Sequence, residues 1–397
     1  MNPIRDRIAA LPASRIREVA NAGLGRSDVL AFWFGESDEV TPEPVREAAA
    51  ASLRAGETFY SHNLGLPDLR QAIAAYMAGL VVPAHPGRRD ITAERIAVTS
   101  SGVNALMLAM QMLLDPGDEV VAVVPVWPNL TAQPAILSAR VTRVPLRPCN
   151  GQWRLDLDEL LARVTPHTRM LLVNAPNNPT GWTLTRDEQQ ALLDHCRTTG
   201  TWIVADEVYE RLFFGEGEDA AAPAAPSFAD IAHPQDRLIV AHSFSKSFLM
   251  TGWRLGWLLL PAAQMADMGK LLEYNSSCAP VFVQRGAQAA LALADDSVPG
   301  LQQRLRACRD RLLHGLQRLP DVTAAVPAGG MYAFFRVHGQ DDSLAFAKRL
   351  VADHGLGLAP GVAFGPEGEG WLRWCYASRD PARLDQGLVQ LGAALGL

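Results

Sequence analysis

The sequence predicts an α/β protein, with a large domain built on a mostly parallel, seven-stranded mixed sheet flanked by helices and with a smaller α+β domain. Short β-branched runs alternate with helical patterns between residues 96 and 260, which is typical of βαβ units. Most of these runs are continuously apolar, as expected of strands that are buried on both faces. With 397 residues, 48% of them hydrophobic, the chain can bury the cores of two domains.

The large domain is expected to contain seven strands. Only about a dozen residues separate the last two strands, which is marginal for a crossover helix, so we expect this pair to be antiparallel and the sheet to be mixed. In chain order, the predicted strands are residues 96–99, 119–124, 141–146, 169–174, 201–205, 238–242 and 255–260.

The clearest helix is predicted for residues 186–199. Thr185 is a candidate N-cap, and Glu188 follows it at the spacing of a capping box. Gly200 comes directly after the last helical position, where a glycine commonly ends a helix. Both ends of this helix are therefore marked in the sequence.

Beyond residue 280 the pattern becomes that of the smaller domain. We assign residues 48–280 to the large domain, and residues 1–47 together with 281–397 to the small domain. After residue 280 we expect two long helices, a strand at 330–337, a helix at 343–354, a strand at 370–377 and a final helix that opens at Pro381 after the cap candidate Asp380.

The segment 215–227 has too little apolar bulk to pack, and we expect it to be an exposed loop.

Charge and cysteine content narrow the classes of function. The net charge is -6 and the arginines are scattered, so no basic patch points to nucleic acid or anionic lipid, and small molecules are the expected partners. The five cysteines lie far apart without a C-x-x-C pair, which argues against a disulfide framework and a zinc site and fits a cytoplasmic protein. No apolar run approaches the roughly 20 residues that span a bilayer, and the N-terminus does not resemble a cleavable signal.

The strongest chemical signal is residues 243–257, S-F-S-K-S-F-L-M-T-G-W-R-L-G-W, between the last two predicted strands. Ser243, Ser245 and Arg254 can hold a phosphate, because hydroxyls and a bidentate guanidinium are common phosphate ligands. Lys246 is next to them, and a lysine beside a bound dianion is suited to a Schiff base. Taken alone, the segment could also be an ordinary loop with solvated charges.

Asp206 follows the apolar run T-W-I-V-A, and ligands of open α/β sheets bind at such strand ends. Its carboxylate could keep a heterocyclic nitrogen protonated, and Tyr209 could reach the same ligand if a turn follows. The ordinary alternative is a capping aspartate and a packed tyrosine.

Three further segments follow predicted strands. N-A-P-N-N-P-T-G at 174–181 is a rigid turn with amide donors. Residues 100–103 link a strand to a helix whose backbone N–H groups would face an anion, although a simple N-cap is the default interpretation. Trp127 could stack on a flat ring or be a core side chain.

These motifs occur together and in one order. N-P-T-G at 178–181, D-E-x-Y at 206–209, and S-x-S-K followed by G-x-R at 243–254 are jointly specific. On these motifs the sequence resembles the class I/II, fold-type I pyridoxal-phosphate aminotransferases, including bacterial aspartate and aromatic aminotransferase-like proteins, from about residue 30 to the C-terminus. The resemblance implies pyridoxal 5'-phosphate as cofactor, a homodimer with the active site at its interface, and amino-group transfer between an L-amino acid and a 2-oxo acid.

The resemblance also assigns residue roles around the cofactor. It implies that Lys246 forms a Schiff base and carries out a 1,3-proton shift, and that Asp206 pairs with the pyridine nitrogen. Asn178 and Tyr209 would form hydrogen bonds with the phenolic oxygen of the cofactor, and Trp127 would stack on the cofactor ring.

The remaining roles concern the phosphate and the substrate. Tyr60 would reach the phosphate in the partner subunit. Arg373 would grip the substrate α-carboxylate, with Gly35 and Asn178 beside it. The phosphate of the same subunit would be held by Ser101, Gly102, Val103, Ser243, Ser245 and Arg254.

Other functions stay open at this point. The same lysine would serve a C–S β-lyase or another α-carbon enzyme, and a lyase is recognised by its release of pyruvate and ammonia without an oxo acid. A transcriptional regulator would need a DNA-binding domain ahead of the fold, for which roughly 30 residues leave no room. A dehydrogenase should show G-x-G-x-x-G after the first strand, and this chain does not. The bulk of Phe32 and Trp33 suggests an apolar or aromatic substrate.

Overall fold

The computed structural model describes residues 4–80, 90–215 and 222–397. Within these ranges the helices are α1 (Asp6–Ala9), α2 (Arg15–Ala22), α3 (Glu43–Arg54), α4 (Pro67–Gly79), α5 (Gly102–Leu113), α6 (Asn129–Ile136), α7 (Leu157–Arg163), α8 (Arg186–Thr199), α9 (Met265–Ser276), α10 (Val281–Ala292), α11 (Ala294–Gln317), α12 (Ser343–His354) and α13 (Ala382–Ala394). The strands are β1 (Leu30–Ala31), β2 (Ile96–Thr99), β3 (Glu119–Val124), β4 (Arg140–Pro145), β5 (Arg147–Cys149), β6 (Gln152–Arg154), β7 (Thr168–Asn174), β8 (Trp202–Asp206), β9 (Leu238–Ser243), β10 (Gly256–Leu259), β11 (Val322–Ala324), β12 (Tyr332–Val337), β13 (Leu356–Gly357), β14 (Ala359–Pro360) and β15 (Trp371–Cys375).

The large sheet has the strand order β2-β10-β9-β8-β7-β3-β4. β10 is antiparallel to both of its neighbours, and the other pairs are parallel, so the predicted mixed sheet is confirmed. Alternate residues of β3 point to opposite faces, Val121 and Val123 to one and Val120 to the other. Because α4, α7 and α8 cover one face and α5, α6 and α9 the other, both faces need apolar side chains.

Strand ends differ from the predicted ones by small amounts. β2 and β3 match, while β8 starts at Trp202 and runs through Asp206, whose backbone pairs with Asn174 and Ala241. β10 is shorter than the predicted 255–260, since pairing ends at Leu259. Backbone pairing, which apolar composition does not reveal, sets these ends.

Helix α8 has the predicted boundaries and caps. The side chain of Thr185 accepts a hydrogen bond from the backbone of Glu188, and the Glu188 carboxylate accepts one from the backbone of Thr185. Gly200 ends the helix in a left-handed conformation with φ +74°, which glycine adopts without steric cost. Such an N-cap contributes about 1 kcal/mol.

The C-terminal region forms a second sheet, β11-β12-β15-β14, which is antiparallel. Its two longer strands are shorter than predicted, and α12 has the predicted ends. α13 starts at Ala382, whose backbone N–H donates to the Asp380 carboxylate at 3.0 Å. β1 pairs in parallel with β13, so the N-terminal segment lies against this region. The domain boundaries at residues 48 and 280 stay a prediction.

The exposed-loop prediction for 215–227 is wrong for its described C-terminal end, and residues 216–221 lie outside the described part of the chain. Ala224 and Ala225 are 0% exposed and Ser227 is 1% exposed. Small side chains allow close packing here, and the Ser227 hydroxyl donates to the Glu207 carboxylate, which fixes the segment. Among the described helices, none is long and apolar enough to cross a membrane.

Candidate active site

The sheet topology brings the predicted site residues together. β2, β3, β7, β8 and β9 run parallel to one another, so the segments that follow them emerge at one edge of the sheet. A cavity opens at this edge, and all predicted site residues except Ser101 and Tyr60 line it. The lining residues that were predicted are Gly35, Gly102, Val103, Trp127, Asn178, Asp206, Tyr209, Ser243, Ser245, Lys246, Arg254 and Arg373.

The two residues outside the lining have different surroundings. Ser101 is the N-cap of α5, and its hydroxyl accepts a hydrogen bond from the Asn104 N–H at 3.0 Å. Its φ of +144° is rare for a residue with a Cβ. Tyr60 is 90% exposed and does not contact the cavity of its own chain.

One end of the cavity is suited to an anion. The N-terminus of α5 points backbone N–H groups at it, beside the hydroxyls of Ser243 and Ser245. A Cβ at Gly256 would lie 2.7 Å from the Gly102 nitrogen, so a glycine here lets the strand approach the helix start closely. Arg254 adds a guanidinium, one nitrogen of which donates to the Thr251 carbonyl at 2.7 Å.

Asp206 is the last residue of β8 and is 2% exposed. Its carboxylate accepts a long hydrogen bond of 3.4 Å from the Val208 N–H, and no cationic side chain in the described ranges forms an ion pair with it. Burial raises its pKa to about 7. Within the described part of the chain this buried carboxylate forms no ion pair, and it faces the cavity, which suits a cationic group of a ligand.

Lys246 lies across the cavity on the connection between β9 and β10. Its Nζ donates to the Gly35 carbonyl at 2.6 Å and lies 5.6 Å from the centroid of the Tyr209 ring. Burial lowers the pKa of this amine to about 8. The neutral, nucleophilic form is therefore accessible near neutral pH.

Arg373 lies at the other end of the cavity, on β15, and is 2% exposed. Its Nη1 donates to Asn178 Oδ1 at 2.9 Å, and its Nη2 donates to the Trp33 carbonyl. Its buried Nε has no hydrogen-bond partner in the described ranges. The guanidinium thus keeps unused donors for a carboxylate.

Sequence reasoning missed several lining residues. Asn174 orders the N-P-T-G loop, since its Oδ1 accepts from the Asn178 N–H at 2.8 Å. Tyr332 places its hydroxyl 2.7 Å from that of Tyr209. A phenol at the start of a largely apolar strand was the available signal. The remaining missed residues are Ile16, Phe34, Leu106 and Val208.

The suggestion that Phe32 and Trp33 contact the substrate is wrong, because Phe34 lines the cavity instead. Phe32 is 4% exposed and packs on Trp374 with ring centroids 5.0 Å apart. Trp33 is 7% exposed and packs closely against Gly357. Both are core side chains.

The arrangement combines a helix N-terminus suited to an anion, a buried amine, a buried carboxylate that forms no ion pair among the described residues, and an arginine with a free donor. The family model for aminotransferase class I and II matches residues 28–391 of this chain. The chain belongs to this family.

Individual proteins that resemble this chain in sequence or structure are also aminotransferases. An aspartate aminotransferase of Pyrococcus horikoshii is 32% identical over 378 residues, 94% of this chain and 93% of the relative. An arginine–pyruvate transaminase of Pseudomonas aeruginosa is 35% identical over 349 residues, 87% and 85% of the two chains. The crystal structure of an aspartate aminotransferase from Thermotoga maritima matches with a TM-score of 0.88 and 30% identity, covering 99% of this chain and 100% of that one.

These similarities confirm the predicted fold and class of enzyme. The aminotransferase moves an amino group between an amino acid and a 2-oxo acid. The names of these relatives favour transamination over the β-eliminating lyase.

Proposed function

We propose that this aminotransferase uses pyridoxal 5'-phosphate, held covalently at Lys246 and paired with Asp206. The observation that carries the proposal is Asp206, a carboxylate that is 2% exposed and faces the cavity without a cationic partner in the described ranges. A pyridine nitrogen would supply that partner. When bound, the cofactor withdraws electrons from the substrate α-carbon.

The anion cradle would hold the cofactor's phosphate. Backbone N–H groups of Gly102 and Val103 lie at the start of α5, and Ser101 stabilises that helix end as its cap. Ser243, Ser245 and Arg254 complete the cradle.

Residues of the cavity would also contact the ring of the cofactor and its phenolic oxygen. Trp127 lines the cavity and would stack on the ring. The Tyr209 hydroxyl would donate to the phenolic oxygen. Asn178 would donate to it through its amide nitrogen, since its Oδ1 accepts from Arg373.

Lys246 and Arg373 would act on the substrate. Arg373 would fix the α-carboxylate and so orient the Cα–H bond toward Lys246 Nζ, whose free amine form would accept the α-proton and pass it on in the 1,3-proton shift. Gly35 lies between them, and a Cβ there would be 2.1 Å from the Tyr332 hydroxyl. The glycine keeps this space free.

A homodimer is part of the proposal. Phe59 and Tyr60 are 84% and 90% exposed, and this exposure of two adjacent aromatic side chains supports a partner subunit covering them. Tyr60 would bond the phosphate in the partner's site. A cytoplasmic location, expected from the scattered cysteines, stays a prediction.

Borohydride reduction tests the attachment site. After loading with pyridoxal 5'-phosphate, reduction and trypsin digestion, the mass of the reduced cofactor should lie on the peptide that contains Lys246. Lys270, an exposed lysine paired with Asp267 at 2.7 Å, is the internal control and should stay unmodified. Label on Lys270 and none on Lys246 would overturn the proposal.

A further inference from the structure

Tyr332 contacts two separate parts of the site. It is 1% exposed and is the first residue of β12. Its hydroxyl oxygen lies 2.7 Å from that of Tyr209. The Cζ of Arg373 lies 4.4 Å from the centroid of its ring. One side chain therefore joins the phenol of the large sheet's edge to the guanidinium of β15.

The antiparallel register explains this placement. Tyr332 pairs with Cys375, and Phe334 pairs with Arg373. Alternate residues of a strand share a face, so Tyr332 and Arg373 are diagonal neighbours on one face of the sheet. The Arg373 side chain is long enough to reach the Tyr332 ring over that separation. The contact therefore follows from the pairing of β12 with β15.

The backbone of the N-terminal segment leaves room for the hydroxyl. A Cβ on residue 35 would lie 2.1 Å from the Tyr332 hydroxyl oxygen. Gly35 avoids this clash because glycine has no Cβ. The Gly35 carbonyl at the same point accepts from Lys246 Nζ at 2.6 Å. The tyrosine hydroxyl is thus held at a fixed place beside the reacting groups.

We propose that Tyr332 is a positioning residue whose hydroxyl donates to Tyr209 and whose ring holds Arg373 in place. This rests on the proposed role of Tyr209 at the cofactor's phenolic oxygen. A hydroxyl carries one proton. If Tyr209 gives its proton to the phenolic oxygen, Tyr332 is the donor within the pair, and a chain of hydrogen bonds strengthens its terminal donor.

Several charged and titratable groups face the two phenols. Arg373 and Cys375 lie on β15, Asp206 ends β8, and Lys246 lies over the Tyr209 ring. Burial raises the pKa of both phenols well above the ordinary value. Both remain protonated between pH 6 and 9, so a spectral change in that range does not report their ionisation.

The test compares Tyr332→Phe with Tyr376→Phe. Tyr376 is 0% exposed, and its hydroxyl donates to the Gly330 carbonyl at 3.2 Å outside the cavity lining. The readout is the pH midpoint of the visible absorbance of the cofactor-loaded protein. Weaker donation to the phenolic oxygen raises that midpoint, and we expect an increase on the order of half a pH unit for Tyr332→Phe. Tyr376→Phe should leave it unchanged.

A double-mutant cycle decides whether the effect passes through Tyr209. In a Tyr209→Phe background, Tyr332→Phe should change the midpoint by less than about 0.2 unit, because the relay is already broken. The same shift in both backgrounds would overturn the relay.

Kinetics separate the ring from the hydroxyl. Tyr332→Phe keeps the ring, so KM for the amino acid should change by less than about twofold, whereas Tyr332→Leu should raise KM roughly 10-fold as the cation–π contact is lost. Equal KM values in both variants would overturn the role of the ring.

A wild-type protein that shows no visible band with pyridoxal 5'-phosphate would overturn the proposed function itself. A normal wild-type band with an unshifted Tyr332→Phe midpoint would overturn this inference alone.

Discussion

Arg373 donates from Nη1 to Asn178 Oδ1 over 2.9 Å in the buried interior of the site. This bond ties the N-P-T-G loop after β7 to β15 of the C-terminal sheet. The Cζ of the same guanidinium lies 4.4 Å from the centroid of the Tyr332 ring and 4.9 Å from that of Phe364. The hydrogen bond therefore fixes the position of Arg373, which would bind the substrate, relative to Asn178, which would bind the cofactor.

Arg373→Lys should lower kcat/KM for the amino acid by about 100-fold, since a point charge replaces neither the bidentate contact nor the stacking. Arg309→Lys is the matched control. Arg309 is 5% exposed and its guanidinium lies 4.9 Å from the Phe214 ring centroid. Because Arg309 does not line the cavity, this change should alter kcat/KM less than about threefold. Steady-state kinetics that place both variants at the same value would contradict the role of Arg373.

Asp206→Asn should abolish most activity and stabilise the cofactor-free protein at pH 8. The folded pKa is raised from 3.8 to about 7, so the folded state binds more protons and its stability falls as pH rises from about 4 to about 7. Asparagine removes that cost, about 1–3 kcal/mol of unfolding free energy. Urea unfolding at pH 5 and pH 8 checks this. A wild-type protein as stable at pH 8 as at pH 5, with no gain in the variant, would refute the unpaired carboxylate.

Cofactor capture should speed up with pH because the neutral amine of Lys246 is the nucleophile. Its pKa is lowered from 10.5 to about 8, so the fraction of neutral amine rises through pH 8. Stopped-flow absorbance after mixing with pyridoxal 5'-phosphate should show a rate that increases about 10-fold between pH 7 and pH 9. A flat profile would show that the amine is not the group that limits capture.

The substrate side chain should be apolar. The lining residues without a proposed role at the cofactor or the carboxylate include Ile16, Phe34 and Leu106, and the charged lining residues are already in use. Phenylalanine or leucine should exceed aspartate in kcat/KM by at least roughly 10-fold, and Phe34→Ala should lower that ratio by a similar factor. Aspartate as the best amino acid in a substrate panel would be inconsistent with this pocket.

Subunit complementation tests the role of Tyr60. Tyr60→Ala should weaken cofactor binding, and Lys246→Ala should abolish turnover. If the site is shared as proposed, one site of a mixed dimer would combine Lys246 of one subunit with Tyr60 of the other and would be intact. Co-refolded variants at limiting cofactor should therefore exceed the summed activity of the separate variants. Activity equal to the sum, or a monomer in gel filtration that is fully active, would rule out the shared site.

The sequence alone predicted correctly those features that depend on short-range interactions or on the length of a connection. Thr185, Glu188 and Gly200 defined α8, because caps are short-range interactions. The short connection before β10 indicated an antiparallel strand for a topological reason. The sequence pattern placed Asp206 at the end of a buried strand and Lys246 just after another, and parallel strands end at one edge of the sheet.

Features that depend on long-range packing were missed. The bulk of Phe32 and Trp33 suggests a contact with the substrate, but Trp374 and Gly357 hold them in the core, and neither contact can be read from spacing. No signal in the sequence marks the contact of Tyr332 with Tyr209, because it joins β12 to the turn after β8, and the two are far apart in the chain. Ala224 and Ala225 are buried because their segment packs on the turn after β8, where the Ala225 N–H donates to the Glu210 carbonyl at 2.8 Å, and this contact is not visible in the composition.

The most direct test is a half-reaction, in which the cofactor-loaded protein is mixed with a single apolar L-amino acid and no oxo acid. We expect the visible band to decay once, with release of one equivalent of the corresponding 2-oxo acid per active site and no further turnover until an oxo acid is added. Lys246→Ala should show neither change. Continuous release of pyruvate and ammonia from a cysteine conjugate, with the band unchanged, would contradict transamination at this site.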